Sequence, residues 1–148
     1  MKTVSVLVIA VAALLGSAAC GTRAEGPPAI EVDRTACAHC GMLISEPVYA
    51  AAYRAEGTDG RVFDDIACLL ESARRTRDAG ARQFWFHDAS DGRWIDGRDA
   101  VFVASPNLRT PMGGGLVAYR DAKAADRAAA DHGGRVVKSL ADLLGGAQ

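Results

Sequence analysis

At 148 residues, 49% of them hydrophobic, the chain has enough apolar material for one modest domain. A formal net charge of −1 excludes a strongly basic nucleic-acid binder, and the few aromatic residues (6%) interleave with no basic run.

The first residues read as a leader. Lys2 is a thin positive region, Val4–Leu15 is a 12-residue apolar run, and Gly16-Ser17-Ala18-Ala19 supplies small residues before a cleavage site. The run is too short for a membrane-spanning helix. Cys20 then fits a lipobox, whose cysteine carries lipid and becomes the mature N-terminus, although Ser17 stands where leucine is usual. Ordinary signal-peptidase cleavage after Ala19 is the alternative. Either route exports the protein, and removing residues 1–19 takes one lysine and leaves a charge of −2. With Cys20 lipidated, Cys37, Cys40 and Cys68 remain. An odd number of thiols in an oxidising compartment implies a free thiol or a metal thiolate.

Residues 20–36, with Gly26-Pro27-Pro28 and no periodicity, read as a flexible, lipid-anchored tether reaching at most about 55–60 Å. A domain over 37–148 follows. Val48–Ala55 alternates as a strand, Thr58-Asp59-Gly60 is a turn, and Arg61-Val62-Phe63 starts the partner strand. Asp64 or Asp65 caps a helix running to about Ala79, with Ile66, Leu69, Leu70 and Ala73 as its apolar stripe and Gly80 as its stop. Gln83–His87 and Arg93–Asp96 form a second hairpin around Ser90-Asp91-Gly92, and Ala100–Ala104 is a short apolar strand. Met112-Gly113-Gly114-Gly115 is a tight passage before a strand at Leu116–Tyr119. Asp121 caps an alanine-rich helix ending at Gly133-Gly134, Arg135-Val136-Val137 is a strand, and Ser139 to Asp142 opens a last helix. Both halves run strand, strand, Asp-capped helix, strand. The expected fold is therefore α+β, with two ββαβ-like units (about 46–88 and 99–144) from an internal duplication. Its sheet is antiparallel or mixed, with helices on one side.

The chemistry concentrates in Cys37-Ala38-His39-Cys40-Gly41-Met42, which sets two thiols, an imidazole and a thioether within six residues. Three readings are open. As a metal hook it draws on further ligands, and thiolate with thioether selects Cu(I). As a redox motif it would open a helix after a strand, yet here it follows a tether. As a zinc knuckle it needs a second Cys/His pair, and no second pair is present. Met42 is a soft donor beside two others, and Met112 lies in a glycine-rich passage where a core methionine is unexpected. Cys68 sits about 200° from Ile66, off the helix stripe, and packing under the N-terminal segment is its first reading. His39 is a possible ligand, while His87 and His132 read as structural. No nucleophile–base pair, phosphate loop or catalytic carboxylate pair emerges, so no enzyme is expected.

Cys37-x-x-Cys40-Gly41-Met42-x-Ile44, Phe63-Asp64-Asp65-Ile66-x-Cys68, Trp94-Ile95-Asp96 with Ala100, and Thr110-Pro111-Met112-Gly113 together resemble the NosL family. The resemblance implies a periplasmic Cu(I) chaperone, anchored through lipid on Cys20, that serves assembly of the nitrous-oxide reductase copper–sulfide centre. Its partners would be that reductase or its maturation machinery. It also implies two ββαβ units related to organomercurial lyase. Cys37, Cys40, Met42 and Met112 are the leading candidate ligands, with Cys68 and His39 secondary. The competing class is an enzyme using the CxxC motif, either a thiol–disulfide oxidoreductase or an organometal lyase; the lyase relation rests on fold, which does not carry function.

Overall fold

Alternation along the first strand divides the molecule into layers. In β1 (Ala51–Ala55), Ala51 and Tyr53 enter a central core while Ala52 enters a second cluster on the opposite face. A computed structural model describes residues 26–76 and 82–145, so the leader, Cys20 and the expected helix end at 77–80 lie outside the described residues.

β1 pairs antiparallel with β2 (Arg61–Phe63) and β3 (Arg82–His87), and β4 (Trp94–Asp96) completes a sheet of order β2-β1-β3-β4. Ala51 stands opposite both Phe63 and Phe86, and Ala52 opposite both Val62 and Trp85, so each face is built from registered residues. The second sheet joins β5 (Val101–Ala104), β6 (Leu116–Tyr119) and β7 (Arg135–Val137) in the order β6-β5-β7, all antiparallel. In each unit the first strand is central, its hairpin partner flanks it on one side, and the strand after the helix flanks it on the other. Among the described residues a parallel bridge, Asp88 to Ala118, links the two sheets.

Between the hairpin and the third strand of each unit lies a helix. α1 (Ile66–Arg75) is capped by Asp65, whose Oδ1 accepts the Ala67 N–H at 2.8 Å. α2 (Ala122–Asp131) is capped by Asp121 through the Lys123 N–H at 3.1 Å. α3 (Leu140–Gly145) opens on Ser139, which accepts the Asp142 N–H at 3.2 Å. α1 packs in the central core between the sheets, where Phe86 meets Phe102 edge-on at 4.9 Å. Burying a phenylalanine of this kind stabilises the fold by roughly 1.5–3 kcal/mol. α2 covers the outer face of the second sheet through Ala125 and Ala129, against Val103 and Val117. Each sheet thus carries its own unit's helix on one face.

Three local expectations are corrected. The strand expected from Val48 begins at Ala51, because Pro47 starts a 3₁₀ turn, Pro47–Tyr49, closed by Ala50 N–H to Pro47 O at 3.0 Å. α1 ends at Arg75, where Arg82 donates to the carbonyls of Ala73 (2.8 Å) and Thr76 (2.7 Å). The tether expected over 20–36 is folded from residue 26 onward. Arg54 donates to Gly26 O at 3.1 Å, the Pro28 ring abuts Gly60, and Ile30 packs on the outer cluster of Ile44, Ala52, Val62 and Trp85. Apolar residues on that sheet face need a cover, and this segment supplies it.

Candidate metal centre

The hook is a small closed loop set between the bridge partners Ala36 and Leu43. Cys37 N–H donates to Met42 O at 2.8 Å and Gly41 N–H to Cys37 O at 2.9 Å, so the chain folds back on itself within six residues. Gly41 makes this possible at φ +77°, a left-handed conformation that a side chain disfavours. The loop is docked on β2 by Ala38 N–H to Val62 O at 2.8 Å. Cys37 is pressed inward and buried, whereas Cys40, His39 and Met42 remain exposed.

α1 brings the third sulfur. Cys68 is buried at its first turn, and its Sγ lies with those of Cys37 and Cys40 in a group whose members are all within 4.8 Å of one another. Among the described residues no imidazole or carboxylate joins this group. All three cysteines are free thiols.

Their environments differ. Burial alone would push the Cys37 thiol up, but backbone hydrogen bonds from Cys40, Asp64 and His39, with the Cys40 thiol, outweigh it and hold Cys37 below the ordinary thiol value. Burial, followed by the charges of Cys37 and Cys40, drives Cys68 well above that value. The cluster therefore pairs a thiol primed to ionise with one that keeps its proton until something replaces it. Beside it Asp64 is buried, with Oδ1 unpartnered among the described residues, and burial raises its carboxyl above the ordinary range, helped by Asp65 and Glu46.

The second unit reaches the site through Asp65. Its Oδ2 accepts Thr110 Oγ1–H at 2.6 Å and Met112 N–H at 3.0 Å, while Oδ1 caps α1. Gly114 lies so close to α1 that an added Cβ would stand 2.5 Å from Ala67 Cβ and 2.7 Å from Asp65 Oδ1. The Met112 loop is thereby fixed on the helix turn that carries Cys68, with the Met112 side chain 39% exposed. Met42, 54% exposed, is tied through its carbonyl to Cys37.

The structure brings Cys37 and Cys40 together with Cys68, ranked second in the sequence, and leaves the His39 ring outside the sulfur group. His87 is buried, with Nδ1 3.0 Å from Ala50 O and its ring 3.7 Å from that of Trp94, a structural role. His132 meets Ser105 and Asn107 through its backbone carbonyl. The sequence offers Asp64 or Asp65 as the cap of α1; Asp65 is the cap, and its second role, as acceptor for the Met112 loop, is signalled only by the adjacent acidic pair, of which a cap uses one.

Fold and site together define a small α+β protein that gathers three thiols, one of them exposed, at a single point. The chain belongs to the NosL family: the family model described as NosL matches residues 29–143. It is 27% identical over 146 residues to the copper-binding lipoprotein NosL of Stutzerimonas stutzeri, covering 88% of this chain and 75% of that one. The crystal structure of the copper chaperone NosL from Shewanella denitrificans superposes with a TM-score of 0.67 at 19% identity, covering 80% of this chain and 99% of that one. That likeness establishes the shared fold. Both relatives are named for copper and not for a reaction, in line with the expected non-enzyme.

Proposed function

We propose that this protein is a Cu(I) carrier held at the periplasmic face of a membrane by lipid on Cys20, and that it passes copper to nitrous-oxide reductase, or its maturation machinery, for the copper–sulfide centre. The observation that carries the copper reading is the all-sulfur group of Cys37, Cys40 and Cys68 within 4.8 Å. Soft thiolates select Cu(I), and a closed structural zinc site would add a fourth ligand. The names of the two relatives support the same cargo, and the name lipoprotein supports the anchor. Among the described residues no helix is long and apolar enough to cross a membrane.

The residues divide the work. Cys37, aided by its backbone donors, offers a thiolate; exposed Cys40 is where an incoming ion is first met and an outgoing one last held. Cys68 closes the site from below and releases its proton as the ion binds. Met42 and Met112 are exposed thioethers whose backbones are tied to the hook and to the first turn of α1. They suit ligand exchange with a partner, because a carrier must surrender its ion. The hook is a turn and opens no helix, which disfavours the oxidoreductase alternative.

Titrating the reduced, mature protein against a Cu(I) chelator tests the reading. About one copper per chain, held in preference to zinc, is expected. Negligible uptake, or tighter zinc binding, would overturn it.

A further inference from the structure

The hook belongs to neither sheet, yet it must keep two sulfurs in register with a third on α1. Two consecutive residues of β2 hold it: Val62 O accepts the Ala38 N–H at 2.8 Å, and Arg61 Nη2 donates to Ala38 O at 3.0 Å. The other end of the same guanidinium is anchored inside the fold. Arg61 Nη1 donates to the hydroxyl of Tyr53 at 3.2 Å, and its Cζ stands 5.9 Å from the ring centroids of both Tyr53 and Phe63. Tyr53 is buried, and its hydroxyl also meets Ser72 Oγ at 3.4 Å on α1 and Thr76 Oγ1 at 3.3 Å at that helix's C-cap.

We infer that Arg61 is a positioning residue for the metal centre. It links the loop carrying Cys37 and Cys40, through Tyr53, to the helix carrying Cys68, and so fixes the spacing of the three sulfurs. The inference rests on the copper reading above. A planar fork is what this position requires, because it serves an acceptor on each side at once; a lysine ammonium on a flexible stem holds two such acceptors far less rigidly. Arg61 touches no ion. It acts as outer-shell partners of metal ligands do, by keeping the ligands where the ion needs them.

The test uses the full reduced chain with Arg61→Leu and Arg61→Lys, measuring Cu(I) affinity by chelator competition beside thermal unfolding. Outer-shell losses typically cost 10–100-fold in metal affinity. Arg61→Leu is expected to lose about tenfold or more, and Arg61→Lys to fall between it and the parent. If Arg61→Leu fails to fold, Arg61→Lys, which keeps charge and length, decides alone. Parent affinity in the folded variants would overturn the inference, since a purely structural residue would move only the unfolding midpoint. If the parent itself takes up no copper, the copper reading fails and a metal-free readout decides the positioning role. Buried Cys37 should then be alkylated faster in Arg61→Leu than in the parent, and equal rates would overturn the role.

Discussion

Replacing Cys68 with alanine separates a site built across two elements from one confined to the hook. The substitution removes one sulfur atom from a side chain only 5% exposed, at the first turn of α1, in a core shared with Leu69, Phe63 and Phe102. Loss of that buried atom and the small cavity it leaves should cost about 1 kcal/mol. Against a typical stability of about 5–15 kcal/mol the domain stays folded, with a melting temperature lower by roughly 4 °C. Copper should respond on another scale. A lost ligand should cost more than the 10–100-fold typical of outer-shell partners, so Cu(I) affinity is expected to fall by about 100-fold or more, roughly 2.7 kcal/mol. Chelator competition and a melting curve on the same sample read both numbers. A melting shift of the expected size with unchanged copper affinity would refute the reasoning, confining the site to Cys37–Met42 and leaving Cys68 a core residue.

Met112→Leu keeps volume and removes only the thioether; stability should change by less than about 1.5 kcal/mol while Cu(I) affinity falls, and equal affinity would make the contribution of the second unit structural only. His87 is held below its ordinary pKa by burial, partly opposed by its bond to Ala50 O. Its contribution to stability is therefore present above about pH 6.5 and lost as pH falls toward the lowered value; a urea midpoint measured from pH 7 to 5 should drop more steeply in the parent than in His87→Gln. Asp64 has the opposite sign: its carboxyl is raised by burial, then by Asp65 and Glu46, so its favourable contribution holds at acid pH and is lost as pH rises through the raised value. Asp64→Asn should therefore be more stable than the parent at pH 7 by about 1 kcal/mol, with the gap closing at low pH, as denaturant unfolding at the two pH values would show.

Local chemistry made much of this fold legible. Leu116–Tyr119 forms a strand over the expected residues, because apolar residues after a glycine run and before an aspartate cap leave few alternatives. The turn at Asp91-Gly92 joins its expected strands, and Asp121 and Ser139 open the expected helices. The first hairpin, by contrast, turns earlier than the expected Thr58-Asp59-Gly60, at Glu56-Gly57, closed by Thr58 N–H to Ala55 O at 3.1 Å with Gly57 at φ +83°. Cys68 lies off the stripe of Ile66, Leu69 and Leu70, and it packs under the N-terminal segment as its position implies, buried in one cluster with Cys37 of the hook. A single apolar stripe describes a helix with one covered face, and α1 has more. Residues 26–36 carry the composition of a linker, but Ile30 lies on a sheet face whose need for a cover appears only after the strands pair. Asp65 meets Thr110 and Met112 across 45 and 47 positions of sequence, a separation that no local pattern encodes.

The most direct test of the central claim is the coordination shell of copper in the reduced, Cu(I)-loaded protein, measured by X-ray absorption. Convergence of Cys37, Cys40 and Cys68 within 4.8 Å predicts a shell of sulfur alone, with at least three sulfurs per copper. A shell dominated by nitrogen or oxygen, or one holding only the two sulfurs of the hook, would contradict it.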